Sequence, residues 1–155
     1  MMRALYAVLL GLSLAACEPQ GAEHAHLAQK LATLPAVLRM DTARLPLTLE
    51  IADDDHERER GLMFRDALPP GTGMLFVWPE AAPRTFWMKN TPIPLDMVFM
   101  RDGQVVGVIP WAKPFDESPL GVADPADMVL EVPGGWTQTH GVGTGWTLEL
   151  TPRQL

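Results

Sequence analysis

Prolines and glycines interrupt this chain so often that long helices do not fit into it. Fifteen prolines and thirteen glycines occur among 155 residues, and proline both lacks a backbone N–H donor and clashes with the preceding helical turn. Short elements joined by defined turns tolerate such a composition. With 47% hydrophobic residues, the chain fills one ordinary core. We therefore expect an α+β fold that is mainly β, a compact antiparallel sheet or barrel-like domain.

Local patterns place the elements of this domain. Alternating apolar residues predict a hairpin with strands 37–40 and 45–52. The Asp102-Gly103 pair predicts a tight turn between strands 95–101 and 104–109. Further strands are predicted at 73–78, where Pro79 ends the run, and at 85–88, 128–132 and 146–151. Three aspartates at 53–55 supply an N-cap oxygen and negative charge for one main helix near 54–62.

The N-terminal residues predict export and lipid attachment. Arg3 precedes an apolar run over 4–14 that is too short to span a membrane stably. Leu14-Ala15-Ala16-Cys17 resembles the lipobox of bacterial lipoproteins. We expect a signal peptide at 1–16, a lipid on Cys17, a tether at 17–35 with a short helix at 22–34, and one domain at 36–155. An uncleaved anchor or a plain secretory signal is the alternative, but neither explains where the cysteine lies.

This organisation predicts a lipid-anchored protein of the cell envelope that faces the periplasm, with the lipid on Cys17 as its contact to a membrane. A formal net charge of −7 repels phosphate backbones, so nucleic acid is not an expected partner. His24 and His26 stand two residues apart, but a metal site needs more ligands than two. We predict no metal site and no cofactor.

Three ordered strings carry a resemblance to a known family. They are RERGLMFRDALPPGTGMLFVWPE, FWMKNTPIPLDMVFMRDGQVVGV and VLEVPGGW. Together they resemble the DUF192 family over residues 44–150. The resemblance implies a compact β-rich domain with one main helix. It implies no reaction, because the biochemical role of that family is not established.

The segment 87–96 is the first part of a predicted binding site. Pro92 and Pro94 stiffen the backbone and push their neighbours into extended geometry. Trp87 and Lys89 share one face of a strand, which suits a flat pocket wall capped by charge. Asn90 adds an amide beside them. A stiff segment of this kind positions polar groups at little entropic cost.

Arg65 and Asp96 complete the predicted site. Arg65 follows the apolar run 62–64, so its planar fork has a fixed direction and binds a carboxylate, either on a ligand or on Asp66 or Asp96. Asp96 starts a strand, where it either faces the pocket or holds a loop through backbone hydrogen bonds. Both interpretations stay open from the sequence alone.

These residues predict a binding module for a small polar or anionic ligand or a peptide. A hydrolase-like enzyme using Asp96 with Lys89 or Arg65 is an alternative, although no nucleophile with an adjacent base is visible, so we lean against catalysis. A soft-metal (copper) site built from methionines and Trp87 is another. A structural envelope protein that uses loop aromatic residues such as Trp111, Phe115 and Trp136 is the last.

Overall fold

The computed structural model describes residues 31–151, and this part of the chain forms seven strands and two short helices. The elements are β1 (Ala32–Met40), β2 (Ala43–Ala52), α1 (Asp55–Arg60), β3 (Thr72–Ala82), β4 (Leu95–Arg101), β5 (Gln104–Ala112), β6 (Ala126–Pro133), α2 (Trp136–His140) and β7 (Thr147–Leu150). The strands close into a barrel in the order β1-β2-β3-β6-β4-β5-β7. The predicted β-rich, barrel-like fold is confirmed.

One strand pair departs from the predicted antiparallel arrangement. β2 and β3 run parallel, whereas the other neighbouring pairs are antiparallel. The connection between them contains α1. Parallel strands need such a crossover connection, because a tight turn reverses the chain direction and joins only antiparallel strands. The side chain of Arg58 on α1 donates to the carbonyl of Val77 on β3, so α1 lies next to β3.

The predicted turns and the main helix are confirmed. β1 and β2 pair from Met40 and Ala43 outward. Asp102 and Gly103 both have positive φ values, 51° and 78°, as a two-residue hairpin turn requires. α1 begins with a capping box in which Asp54 accepts from the Glu57 N–H while the Glu57 side chain accepts from the Asp54 N–H.

The barrel wall separates two apolar layers. The inner layer draws buried residues from all seven strands, including Leu38, Leu49, Leu75, Val98, Val105, Leu130 and Leu148, which only the interior of a closed barrel brings together. The outer layer packs on the outside of β3, β6 and β4. Its members include Leu62, Met74, Phe76, Met88, Met97, Phe99 and Val129. Residues 61–64 and 83–94 cover this outer face, so these strands are buried on both sides.

Two predictions about strands are wrong. No strand forms over 85–88; Phe86 makes one isolated bridge to Leu120, and the Met88 N–H donates to the carbonyl of Asp116 instead. β3 continues past Pro79 to Ala82, because its register is irregular between Val77 and Ala82 and proline is tolerated where no ladder N–H is needed.

The N-terminal predictions fall mostly outside the described residues. The signal segment, Cys17 and positions 22–30 of the predicted helix lie there. Its last positions, Ala32 to Leu34, belong to β1, so that part of the helix prediction is wrong, and the first strand begins four residues before the predicted domain boundary. Within residues 31–151, no helix has the length and apolar character needed to cross a membrane.

Candidate functional site

A buried glutamate on the outside of the barrel marks the candidate site. Glu131 lies on β6 with its side chain on the outer face, directly opposite Met74 of β3 and Met97 of β4. Both methionines are fully buried, and Glu131 is only 4% exposed. Burial among these groups raises the pKa of Glu131 to about 8. The carboxyl group is therefore protonated at neutral pH.

Glu131 has no protein partner for its side chain within the described residues: no hydrogen bond or ion pair to it is found. It lines a cavity of about 300 Å³. We call this cavity the Glu131 cleft; its other walls come from the end of α1, from β3 and from residues 84–91. The side chains that matter below are Arg58, Trp78, Arg84, Phe86, Trp87 and Thr91.

Two arginines lie at the mouth of the Glu131 cleft. Arg58 donates to the carbonyl of Val77 at 2.7 Å and also bonds the carbonyl of Asp53 and the carboxylate of Asp55. Arg84 donates to the carbonyls of Ala126 and Glu80 through Nε and Nη2. These bonds fix both guanidinium groups. Desolvation, followed by the nearby charge of Arg58, lowers the pKa of Arg84, and the charge of Asp127 opposes this effect.

Aromatic rings form the apolar wall of the cleft. The guanidinium of Arg84 lies 4.3 Å from the ring centroid of Trp78, and that of Arg58 lies 5.5 Å from it. Phe86 meets the edges of Phe76 and Trp78 at centroid distances of 5.1 and 6.2 Å. Because each ring is held by its neighbours, the wall is rigid.

The structure brings Trp87, Lys89 and Asn90 together in a second cavity of about 360 Å³ that adjoins the first. We call it the Lys89 groove; its lining is completed by His56, Glu59, Arg60, Met63 and Phe64. The Lys89 Nζ lies 4.8 Å from the ring centroid of Trp87, an indole that is 45% exposed. These three predicted site residues thus share one surface.

Arg65 lies elsewhere, with a partner that differs from the two predicted. It makes a bidentate pair with Glu50 of β2, at 2.7 and 2.6 Å, and not with Asp66 or Asp96. The pair is only partly exposed. Arg65 lines neither the Glu131 cleft nor the Lys89 groove, because its planar fork is taken up by the Glu50 carboxylate.

Asp96 also lies away from both cavities. It is fully buried and follows the inward parity of β4, so it faces the barrel end rather than the outer surface. It accepts hydrogen bonds from the backbone N–H groups of Trp111, Gly135 and Thr137, each at 2.8 Å, and from the hydroxyl of Thr137 at 2.5 Å. Asp96 therefore holds the start of α2 and the end of β5 against the barrel.

Four of the methionines considered for a copper site lie in the apolar layers, whereas Met63 is half-buried and lines both the Glu131 cleft and the Lys89 groove. Met74, Met88, Met97 and Met100 are fully buried and pack among carbon atoms, as methionine does in ordinary cores. Across residues 31–151, no group of three His, Cys, Asp or Glu side chains is arranged to hold a metal ion.

Sequence reasoning missed Glu131. In the alternation along strand 128–132, the side chain of Glu131 points to the sheet face opposite that of Leu130 and Val132. A charged side chain at such a position is usually exposed to solvent. The signal was present in the continuous apolar run around it, Met128-Val129-Leu130 and Val132, since such runs indicate a strand that is buried on both faces.

The fold and the cavities define a small seven-stranded barrel whose outer face carries a second apolar layer with an acid-floored cleft. The sequence model of the DUF192 family, described as an uncharacterized ACR, matches residues 36–150. The chain belongs to this family.

Two solved structures are similar to this chain. A putative transcription regulator from Sinorhizobium meliloti 1021 is 37% identical, with 77% of this chain and 95% of that chain covered and a TM-score of 0.75. A protein of unknown function from Novosphingobium aromaticivorans DSM 12444 is 36% identical, with 80% and 89% covered and a TM-score of 0.76. No curated protein matches the chain.

Proposed function

We propose that this chain is a binding module that holds a small organic anion in the Glu131 cleft. The observation that carries the proposal is the buried side chain of Glu131, which has no partner among the described residues and lines a cavity. A buried polar group without a partner costs roughly 1–3 kcal/mol. A ligand that accepts a hydrogen bond from this carboxyl group recovers that cost.

The charges around the cleft favour an anion over a cation. A protonated Glu131 donates a hydrogen bond and carries no charge of its own. Arg58 at the mouth is paired with Asp55, whereas Arg84 forms no ion pair within residues 31–151 and its Nη1 has no acceptor there. Arginine is well suited to carboxylate recognition through its planar donors. A cationic ligand would be repelled by the guanidinium group of Arg84.

The remaining walls favour a ligand with a flat or apolar body. Trp78, Phe86 and Trp87 supply ring surfaces, and Thr91 and Thr85 add small polar groups. A volume of about 300 Å³ lies at the lower end of the range for small-molecule sites. A carboxylate attached to a ring or a short hydrocarbon has these properties.

The alternatives draw less support from the same contacts. A hydrolase that uses Asp96 with Lys89 or Arg65 needs these groups side by side, but Asp96 is saturated by four donors and Arg65 is paired with Glu50. A copper site needs exposed sulfur, and Met88 is fully buried. The description of one relative as a putative transcription regulator suggests nucleic acid, which a net charge of −7 opposes.

Thermal-shift measurements on the full chain test the proposal. The probes are benzoate, short alkane carboxylates, inorganic phosphate and neutral sugars, each well above its expected dissociation constant. A ligand at a hundredfold excess over its dissociation constant adds roughly 2.7 kcal/mol to the free energy of unfolding. We expect carboxylates to raise the melting temperature, and neutral sugars to have no effect.

Two arginine variants supply the control for that experiment. Arg84→Gln removes a cation of the cleft, whereas Arg101→Gln removes an exposed cation that lines neither cavity. The carboxylate shift should disappear in Arg84→Gln and persist in Arg101→Gln. A carboxylate shift that survives in both variants contradicts the proposal. The proposal is also contradicted if neither carboxylates nor phosphate raise the melting temperature of the unmodified chain.

We further propose that the domain works in the cell envelope, tethered by a lipid on Cys17 and facing the periplasm. The support is the order of Arg3, the apolar run and Leu14-Ala15-Ala16-Cys17 in the sequence. Metabolic labelling with a radioactive fatty acid tests this. The label should appear on the unmodified chain and be lost in Cys17→Ser; equal labelling of both contradicts the anchor without affecting the cleft.

A further inference from the structure

We propose that the natural ligand is elongated and carries two anionic groups, one bound in the Glu131 cleft and the other in the Lys89 groove, with an uncharged middle lying across Trp87. This inference rests on the proposed function of the Glu131 cleft and adds a second compartment to it. It specifies a class of ligand, an organic dianion, where the cleft alone requires one anionic group.

The two cavities are neighbours that share part of their lining. Glu59, Arg60, Met63 and Trp87 border both of them. Trp87 presents nearly half of its surface to solvent. A ligand that extends out of the Glu131 cleft along the surface of Trp87 therefore reaches the Lys89 groove directly.

Each cavity contains a cation that forms no ion pair with a carboxylate of residues 31–151. Arg84 bonds only backbone carbonyls, and the contact found for the Lys89 ammonium within residues 31–151 is the indole of Trp87. By contrast, Arg39 and Arg65 pair with Glu149 and Glu50. In a chain with a net charge of −7, two cations without acid partners on either side of one tryptophan are well placed to bind anions.

The Lys89 groove is held in a fixed shape. Asn90 and Phe64 both adopt positive φ values, 53° and 63°, and the Phe64 N–H donates to the Asn90 carbonyl at 2.6 Å. Asparagine tolerates this conformation, whereas a phenylalanine in it is strained, and such strain is found preferentially at functional sites. The bond between them fixes the backbone next to Lys89, so that less entropy is lost when a ligand binds.

The shared border explains why the middle of the ligand is uncharged. Trp87 offers an apolar face there, and Glu59, which borders both cavities, is exposed and acidic. Arg60 also borders both cavities, so the opposite charges of Glu59 and Arg60 offset each other and the apolar face of Trp87 is what favours an uncharged middle. The charges at the two ends lie near Arg84 and Lys89.

Calorimetric titration of the full chain with matched acids tests this inference. The probes are a series of unbranched alkane α,ω-dicarboxylates of increasing length and the monocarboxylates of equal length. A second charge-assisted contact is worth roughly 1.5–3 kcal/mol when well formed. We therefore expect at least one dicarboxylate to bind roughly tenfold more tightly than its matched monocarboxylate, since 1.4 kcal/mol is a factor of ten.

Two lysine variants locate the second contact. In Lys89→Gln the advantage of the dicarboxylate should fall to about twofold or less, the level of a weak exposed ion pair. Lys113→Gln removes an exposed lysine that lines neither cavity, and there the advantage should persist. If monocarboxylates and dicarboxylates bind equally well at every length, or if Lys113→Gln removes the advantage as fully as Lys89→Gln, the two-compartment inference is overturned while the single-anion cleft stands. If neither kind of acid binds, both proposals fail.

Discussion

Two buried acidic side chains, Asp96 and Glu131, lie on neighbouring strands of the same barrel and have opposite surroundings. Asp96 faces the barrel end and accepts four hydrogen bonds from surrounding N–H and O–H groups. Glu131 faces outward beneath the second apolar layer and lines a cavity, with no protein partner within residues 31–151. Burial is common to both acids, and the satisfaction of their hydrogen bonds is what distinguishes them.

Removing the structural acid should have the largest effect on stability. Asp96→Ala leaves three backbone N–H groups and the Thr137 hydroxyl buried without an acceptor. We expect a loss of roughly 3–5 kcal/mol in the free energy of unfolding, measured by urea denaturation. Asp127→Ala is the control, since Asp127 accepts from one exposed backbone N–H and should cost about 1 kcal/mol. Equal losses in the two variants would remove the contrast.

Replacing Glu131, the acid of the proposed binding site, should instead stabilise the folded chain above the ordinary pKa of glutamate. Folding raises the pKa of Glu131 from 4.5 to about 8, so between these values the folded chain holds a proton that the unfolded chain has released. The free energy of unfolding then falls as pH rises, by at most about 1.4 kcal/mol per pH unit. Glu131→Gln has no such proton, so the variant should become progressively more stable than the unmodified chain through this window. The measurement is urea denaturation at several pH values.

The dependence of this stability difference on pH is what tests the prediction. Below pH 4.5 both states of the unmodified chain are protonated, and the two proteins should have similar stability. A constant difference across the whole pH range would mean that Glu131 does not titrate differently in the folded and unfolded states.

Ligand affinity should show the same titration. When Glu131 ionises above about pH 8, it loses its donor hydrogen and repels an anion, so carboxylate affinity should fall by up to about tenfold per pH unit. Glu131→Gln keeps an N–H donor and no charge, and its affinity should stay flat. Calorimetric titration over this range makes the measurement. A parallel decline in both proteins would assign the pH dependence to another group.

The smallest effect is expected at the Arg65–Glu50 pair. Both side chains are about one quarter exposed, so solvent weakens their attraction and a double-mutant cycle should give about 1 kcal/mol of coupling. Arg65→Gln should leave carboxylate affinity unchanged, because Arg65 lines neither cavity. A loss of binding in this variant would place the site elsewhere.

The sequence alone predicts the barrel better than the site. Hairpin turns and the α1 cap depend on local chemistry, so Asp102-Gly103 and Asp54 were readable directly. The parallel pairing of β2 with β3 was missed, because the register of distant strands depends on the packing of α1 against the barrel. The strand predicted over 85–88 was wrong for a similar reason, since its backbone partners, Asp116 and Leu120, lie on a loop without a local signal.

The site residues show the same limit. Trp87, Lys89 and Asn90 lie close together in sequence, and the structure places them along one groove. Arg65 pairs with Glu50, and Asp96 binds the start of α2. Both partners come from distant elements, and no spacing pattern in the sequence indicates them. Glu131 was missed because the layer that buries it is built from residues 61–64 and 83–94, which lie far from β6 in the sequence.

Carbon-13 NMR titration of the Glu131 carboxyl group tests the central claim most directly. The signal is assigned by its loss in Glu131→Gln and followed with and without a saturating carboxylate. We predict a midpoint near 8 in the free protein and a higher midpoint with the anion bound, because a bound negative charge favours the protonated form. A midpoint near the ordinary value of 4.5, unchanged by any anion, would contradict the assignment of Glu131 as a protonated donor in a ligand cleft.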